Sequence, residues 1–252
     1  MSTVLAAVDA SPAARPVVEA AIRFGELTDS PVEMVHVVEA DAEVPRWLAA
    51  QFDLQLRLLE GPVDAALAEA VAEQRVGAAV VGARSTPGGK RPVGHAAFGL
   101  LASTTKPVVV VPPEAPLGVE HHYRRLLLPI EGDATLSRAT IEQLDAMLAR
   151  EVAVHVVHVF TSATVPRVAD RAVRDMVMWE DEFVARHCPS AARIEVCTGP
   201  IGPCIVRVAE VDEVDVVVLT WKHDLTAGRA AVVRDVLSRS HVPTLLIPEP
   251  AA

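Results

Sequence analysis

The feature that most limits how this chain can fold is that it is written twice. A shift of 122 residues takes Val4-Leu5-Ala6-Ala7-Val8-Asp9 onto Leu126-Leu127-Leu128-Pro129-Ile130-Glu131, and Val35-His36-Val37-Val38 onto Val157-His158-Val159-Phe160, without a gap. A shift of 138 takes Leu58-Leu59-Glu60-Gly61-Pro62 onto Val196-Cys197-Thr198-Gly199-Pro200, and Ala78-Ala79-Val80-Val81-Gly82 onto Val216-Val217-Val218-Leu219-Thr220. Solenoid units repeat every ~20–50 residues, so a period this long implies whole domains, each with its own core. The expected division is a first domain over 1–113, a linker over 114–123 and a second domain over 124–252.

With 252 residues, 51% of them hydrophobic and 22% charged, the chain can fill two cores. Its net charge of −10 is spread without a basic block, and aromatic residues make up 4% of it. That argues against a nucleic-acid surface or an anionic-membrane surface. No apolar run approaches the ~20 residues of a membrane span. The amino terminus has Asp9 inside its first apolar run and no Lys or Arg before Arg15, so it is expected to be a strand rather than a secretory signal, with a cytoplasmic location following. Three cysteines (Cys188, Cys197 and Cys204) cannot complete a disulfide framework and read as buried free thiols.

Strands alternate with helices in both copies. In the first, the patterns place strands at 3–8, 32–38, 53–59, 78–82 and 107–111, and helices at 13–28, 45–52, 62–74 and 94–105. Ser11-Pro12 reads as a helix N-cap followed by a first helical residue. The short apolar strands suit a parallel sheet covered on both faces. In the second copy, strands are expected at 125–130, 152–159, 192–197, 214–219 and 243–247, with a long amphipathic helix over 170–187. The fold class is therefore α/β, as two tandem doubly wound five-stranded parallel-sheet domains.

In such a sheet a ligand sits beyond the carboxyl ends of the strands, where the strand order reverses. With strand 1 beside strand 4, the rims of that crevice are Asp9 and Gly82. An aspartate there can accept hydrogen bonds from a base or ribose, or can serve a turn or helix cap. Gly82 admits close backbone approach, and Gly94-His95 opens a helix whose free amides suit phosphate.

Taken together and in order, Val8-Asp9-Ala10-Ser11, Val35-His36-Val37, Gly61-Pro62, Val80-Val81-Gly82-Ala83-Arg84 and Lys106-Pro107-Val108 resemble the universal stress protein family in its tandem two-domain form. The resemblance implies stress-response binding or sensing of ATP or another adenine nucleotide without turnover, and no metal apart from nucleotide-associated Mg. It places Ala7 and Asp9 near the base and ribose and Val37 against adenine. Gly82, Arg84 and Ser85 would lie along ribose and phosphate, with Gly94, His95 and Ala96 at the phosphates. It also implies pairing through the last strands, Val108–Val111 against Thr244–Ile247, as an intrachain pseudo-dimer. Homodimerisation and a protein partner stay open.

The first copy departs from the family's nucleotide pattern, which is Gly, two residues, Gly, nine residues, Gly, then Ser or Thr. Ser85 replaces the second glycine, the spacer before Gly94 is one residue shorter, and His95 stands where a hydroxyl residue is usual. The second copy departs further, with Glu131 at the place of Asp9, Thr220 at that of Gly82, and Trp221 expected just beyond the fourth strand, where its ring would fill the crevice. Any ligand is thus expected in the N-terminal domain. The alternatives are an interaction module of the same fold with no nucleotide, or a nucleotide hydrolase, for which no acid, base or phosphate-activating pair is evident. His36 and His158 occupy equivalent places and point to a shared structural role. His155 and His158, three apart on a strand, face opposite sides and cannot hold one metal together.

Overall fold

The computed structural model describes residues 2–38, 42–84, 93–115, 122–130, 134–161, 182, 193–221 and 230–249. In the N-terminal half, β1 (Thr3–Ala7), β2 (Val32–Val37), β3 (Gln55–Leu59), β4 (Val76–Gly82) and β5 (Val108–Val111) alternate with α1 (Ala14–Thr28), α2 (Glu43–Phe52), α3 (Val63–Ala72) and α4 (His95–Ser103). The C-terminal half repeats the plan with β6 (Arg125–Pro129), α5 (Ala134–Met147), β7 (Ala153–Phe160), β8 (Arg193–Thr198), α6 (Ile201–Val211), β9 (Val216–Trp221), α7 (Ala231–Arg239) and β10 (Thr244–Pro248). The long helix expected over 170–187 lies outside the described residues, as do Ser85 and Glu131.

All ten strands join one sheet in the order β3-β2-β1-β4-β5-β10-β9-β6-β7-β8. Within each half the neighbouring strands are parallel, and the halves meet antiparallel through β5 and β10, with Val110 opposite Thr244 and Val108 opposite Leu246. The chain thus supplies its own partner strand, and two edges that would each offer unpaired backbone groups close on one another. The alternation of β5 divides its valines between two cores: Val108 and Val110 join one apolar cluster, and Val109 and Val111 the other. Residues of α1, α2 and α5 pack in one of these clusters and residues of α3, α4, α6 and α7 in the other, and each cluster runs through both halves.

The seam is reinforced on the α1 side. The Ala149 amide donates to the Leu27 carbonyl at 2.9 Å, and His122 Nδ1 lies 2.9 Å from Glu26. Glu19 and Arg23 are both buried on α1, and Arg15 donates to Glu19 at 2.8 Å. Tyr123 is buried as well, and burial pushes its hydroxyl well above the ordinary phenol range, with Arg23 pulling the other way.

Several element boundaries move for identifiable reasons. Helix α1 starts at Ala14 with Ala13 in the cap position, not with Ser11 and Pro12 as cap and first residue. Ser11 instead closes a preceding turn, in which its carbonyl accepts from the Ala14 amide at 3.1 Å. The strand expected from residue 53 begins at Gln55, because Asp53 adopts a left-handed conformation (φ 52°) and ends α2 through a hydrogen bond to Ala49. Helix α3 ends at Ala72 rather than at 74. Glu73 there turns extended, its carboxylate is held by Arg57 and Arg75, and its carbonyl accepts from Lys106 Nζ at 2.6 Å. No helix among the described residues is long and apolar enough to cross a membrane.

Candidate functional site

Strand β1 lies parallel to β4, with Ala7 opposite Val81. Beyond that pair the chain departs from β1 to α1 in one helical layer and from β4 toward α4 in the other, which opens a crevice between them. A cavity of about 730 Å³ occupies the place. Of the nine residues expected at a ligand, eight line it: Ala7 at the end of β1 and Asp9 just beyond it, Val37 at the end of β2, Gly82 at the end of β4 and Arg84 just beyond it, and Gly94, His95 and Ala96 at the start of α4. The ninth, Ser85, lies outside the described residues.

The base of the crevice is fixed by local hydrogen bonds. Asp9 Oδ1 accepts from the Ser11 amide at 2.9 Å and from its hydroxyl at 2.6 Å. The Ser11 hydroxyl oxygen in turn accepts from the Ala13 amide at 3.2 Å. Asp9 therefore serves the turn while its side chain stays exposed at the rim. His36, buried on β2, donates from Nδ1 to the Val8 carbonyl at 2.8 Å and so holds the backbone just before Asp9. His158 repeats this contact on the Ile130 carbonyl at 3.0 Å. The equivalent histidines thus share one structural role. His155 turns elsewhere, to Asp212 at 3.2 Å.

The two glycines of the crevice are not required by the chain itself. A Cβ on Gly82 would meet Val17 Cγ2 at 3.4 Å, and one on Gly94 would meet the Ala83 carbonyl at 3.5 Å, both ordinary contacts. Gly94 has φ −63°, open to any residue. What their bareness leaves is room in the cavity. The Gly94 amide donates to the Ala83 carbonyl at 2.8 Å. The amides of His95, Ala96 and Ala97 remain, and among the described residues nothing accepts from them.

Two carboxylates complete the site, and sequence reasoning found neither. Arg84, expected along ribose and phosphate, is paired with Glu114 at 3.0 Å and has a side chain 11% exposed. Its Nε and Nη1 atoms make no hydrogen bond among the described residues. Asp64, in the first turn of α3, reaches across to α4, where its Oδ2 lies 3.0 Å from His95 Nδ1. The same carboxylate covers Gly99, whose missing Cβ would lie 3.0 Å from it. In the other half the partners are exchanged. Gly202 stands at the place of Asp64 in α6 and Asp235 at the place of Gly99 in α7, and Asp235 lies over Gly202 so closely that a Cβ there would clash. Asp235 is held by Arg239.

Trp221 is the last residue of β9 rather than part of the following loop, and it is 3% exposed in a cluster with Leu219, Val233 and Val236. Its ring fills core between β9 and α7 where the first half has the small Ala83. Cys197 and Cys204 are buried and free. Burial pushes the Cys197 thiol up, against the pull of Arg207, which lies 3.0 Å from its sulfur.

The model of the universal stress protein family matches residues 122–248. The chain belongs to the universal stress protein family. The sequence match falls on the half whose nucleotide pattern is lost, while the cavity described above lies in the other half. Solved structures extend the fold to both. A universal stress protein from Archaeoglobus fulgidus DSM 4304 is 12% identical with a TM-score of 0.62, covering 98% of this chain and 96% of that one. A protein of Pseudomonas aeruginosa UCBPP-PA14 assigned to the same family is 15% identical with a TM-score of 0.65, covering 98% and 93%. The cytoplasmic domain of a prokaryotic cation chloride cotransporter shares the fold at 8% identity and a TM-score of 0.52, covering 97% and 94%. No curated protein matches the sequence. Fold alone therefore leaves function to the site.

Proposed function

We propose that this universal stress protein holds an adenine nucleotide in its N-terminal crevice and signals occupancy through its contacts, in the cytoplasm and without turnover. The observation that carries the reading is the convergence of Asp9, Val37, Gly82 and the first turn of α4 on one cavity. Asp9 would orient ribose hydroxyls, Val37 and Ala7 would flank the base, and Gly82 would let backbone approach. The His95 and Ala96 amides would meet the first phosphate. Any Mg would arrive with the nucleotide. The C-terminal half would act as a structural partner that completes the sheet.

A second reading, an interaction module without nucleotide, draws on Glu114 and Asp64. Protein carboxylates already meet Arg84 and His95, the two side chains expected to face phosphate. Mass spectrometry of small molecules released from the purified protein, followed by calorimetric titration with AMP and ATP, separates the two readings. An adenine compound bound by the wild type and lost in Asp9→Ala supports the first. Absence of heat and of any thermal shift with every adenine compound supports the second. Steady ADP formation that disappears in His95→Gln would overturn the reading without turnover.

A further inference from the structure

We infer that Asp64 sets the ligand class of the N-terminal crevice, which selects adenosine and AMP over ATP. The inference rests on the reading of the crevice as an adenine-nucleotide site and concerns how much phosphate that site accepts. A helix N-terminus attracts an anion because its free amides and dipole carry partial positive charge. In this crevice the protein brings its own anion to that place. The Asp64 carboxylate sits 3.0 Å from the His95 ring at the start of α4 and lies against Gly99 one turn further along. It belongs at the same time to the first turn of α3, so it lies at two helix starts together.

Among the described lining residues the remaining charge does not offset it. Among the described lining residues Arg84 is the one arginine or lysine, and its guanidinium is paired with Glu114 at 3.0 Å. Asp9 adds a second lining carboxylate at the base. A neutral nucleoside gains from Asp9 and loses nothing at Asp64. A single phosphate can use the His95 and Ala96 amides, whereas each further phosphate adds negative charge beside a fixed carboxylate.

The comparison between the halves shows that the carboxylate's position is specific to this crevice. In both halves the contact between the paired helices sets one aspartate over one glycine, and in the second half these are Asp235 in the middle of α7 and Gly202 in the first turn of α6. Packing alone thus permits the charge on either helix. In the N-terminal half it stands on the helix start that lines the cavity.

The test is calorimetric titration of the full chain with adenosine, AMP and ATP in a chelating buffer, for wild type, Asp64→Asn and Asp235→Asn. The asparagine keeps the side chain's shape over Gly99 and removes only its charge. The wild type is expected to bind AMP about fivefold or more tighter than ATP, and Asp64→Asn to tighten ATP roughly tenfold while moving adenosine less than about twofold. Asp235→Asn, which alters the equivalent packing contact away from the site, should leave the order of ligands unchanged. ATP binding tighter than AMP in the wild type would overturn the inference and leave the adenine-nucleotide reading intact. So would an Asp64→Asn that moves adenosine and ATP equally, or an Asp235→Asn that shifts ATP as much. Binding of none of the three compounds to any variant would remove the underlying reading itself.

Discussion

Replacing Gly82 by alanine separates what the fold needs from what a ligand needs. The added methyl would sit 3.4 Å from Val17 Cγ2 and 3.9 Å from the Arg84 carbonyl, inside ordinary van der Waals range. Gly82 ends β4 in an extended conformation that alanine adopts without strain. The alanine also reduces the freedom of the unfolded chain, which stabilises a compatible site by about 0.4–1 kcal/mol. For a chain of this size that corresponds to a rise of roughly 1–4 °C in Tm. The same methyl projects at the rim of the cavity, where the ligand is expected to lie against bare backbone. A tenfold weaker Kd for AMP, about 1.4 kcal/mol, is the expected cost. Thermal unfolding without ligand and calorimetric titration with AMP read the two effects on one preparation. A Tm lowered by several degrees would mean that Gly82 serves the fold. An unchanged affinity would mean that its bareness serves no ligand, and either result would refute the reasoning.

Three further outcomes follow from named contacts. His36→Leu removes the donor to the Val8 carbonyl and should lower stability in urea by about 1–3 kcal/mol, with His158→Leu similar in the other half; no loss in either would show that the histidines are not structural. The hydrogen bond from Arg57 holds the Glu73 carboxyl below its usual range, with Arg75 assisting. A lowered folded pKa gives stability that is present above the unfolded value and lost as pH falls through the folded one. The stability gap between wild type and Glu73→Gln should therefore close as pH falls through and below the ordinary carboxylate range, as followed by urea unfolding, and a gap that widens there would be contrary. Cys197 and Cys204 should resist iodoacetamide in the folded chain and react on unfolding, read site by site by mass spectrometry; rapid native labelling would show that the burial around them opens.

Much of the architecture was legible because it rests on local patterns that the chain repeats. The apolar runs Val4–Val8 and Val108–Val111 have the length and both-sided burial of parallel strands, and the family resemblance pointed to a partner for the last strand within the chain. The crevice was legible because the doubly wound order places the ends of strands 1 and 4 side by side, so Asp9 and Gly82 meet whatever lies between them. The placement of Asp64 was not legible. Its contact with Gly99 joins two helices that sequence patterns treat separately, and the other half realises it with the partners exchanged, so aligning the copies conceals it. Glu114 reads as linker composition, yet the fold returns it to Arg84. The start of α1 slipped because Ser11 has two competing partners, Asp9 and the Ala13 amide, and closing that turn delays the helix to Ala14.

The most direct test of the account is the number of adenine ligands per chain and which half holds them. Calorimetric titration of the full chain with AMP should give one site, abolished by Asp9→Ala at a temperature where the free variant is still folded by circular dichroism. Two sites per chain, or one that survives Asp9→Ala unchanged, would contradict the assignment of the N-terminal crevice.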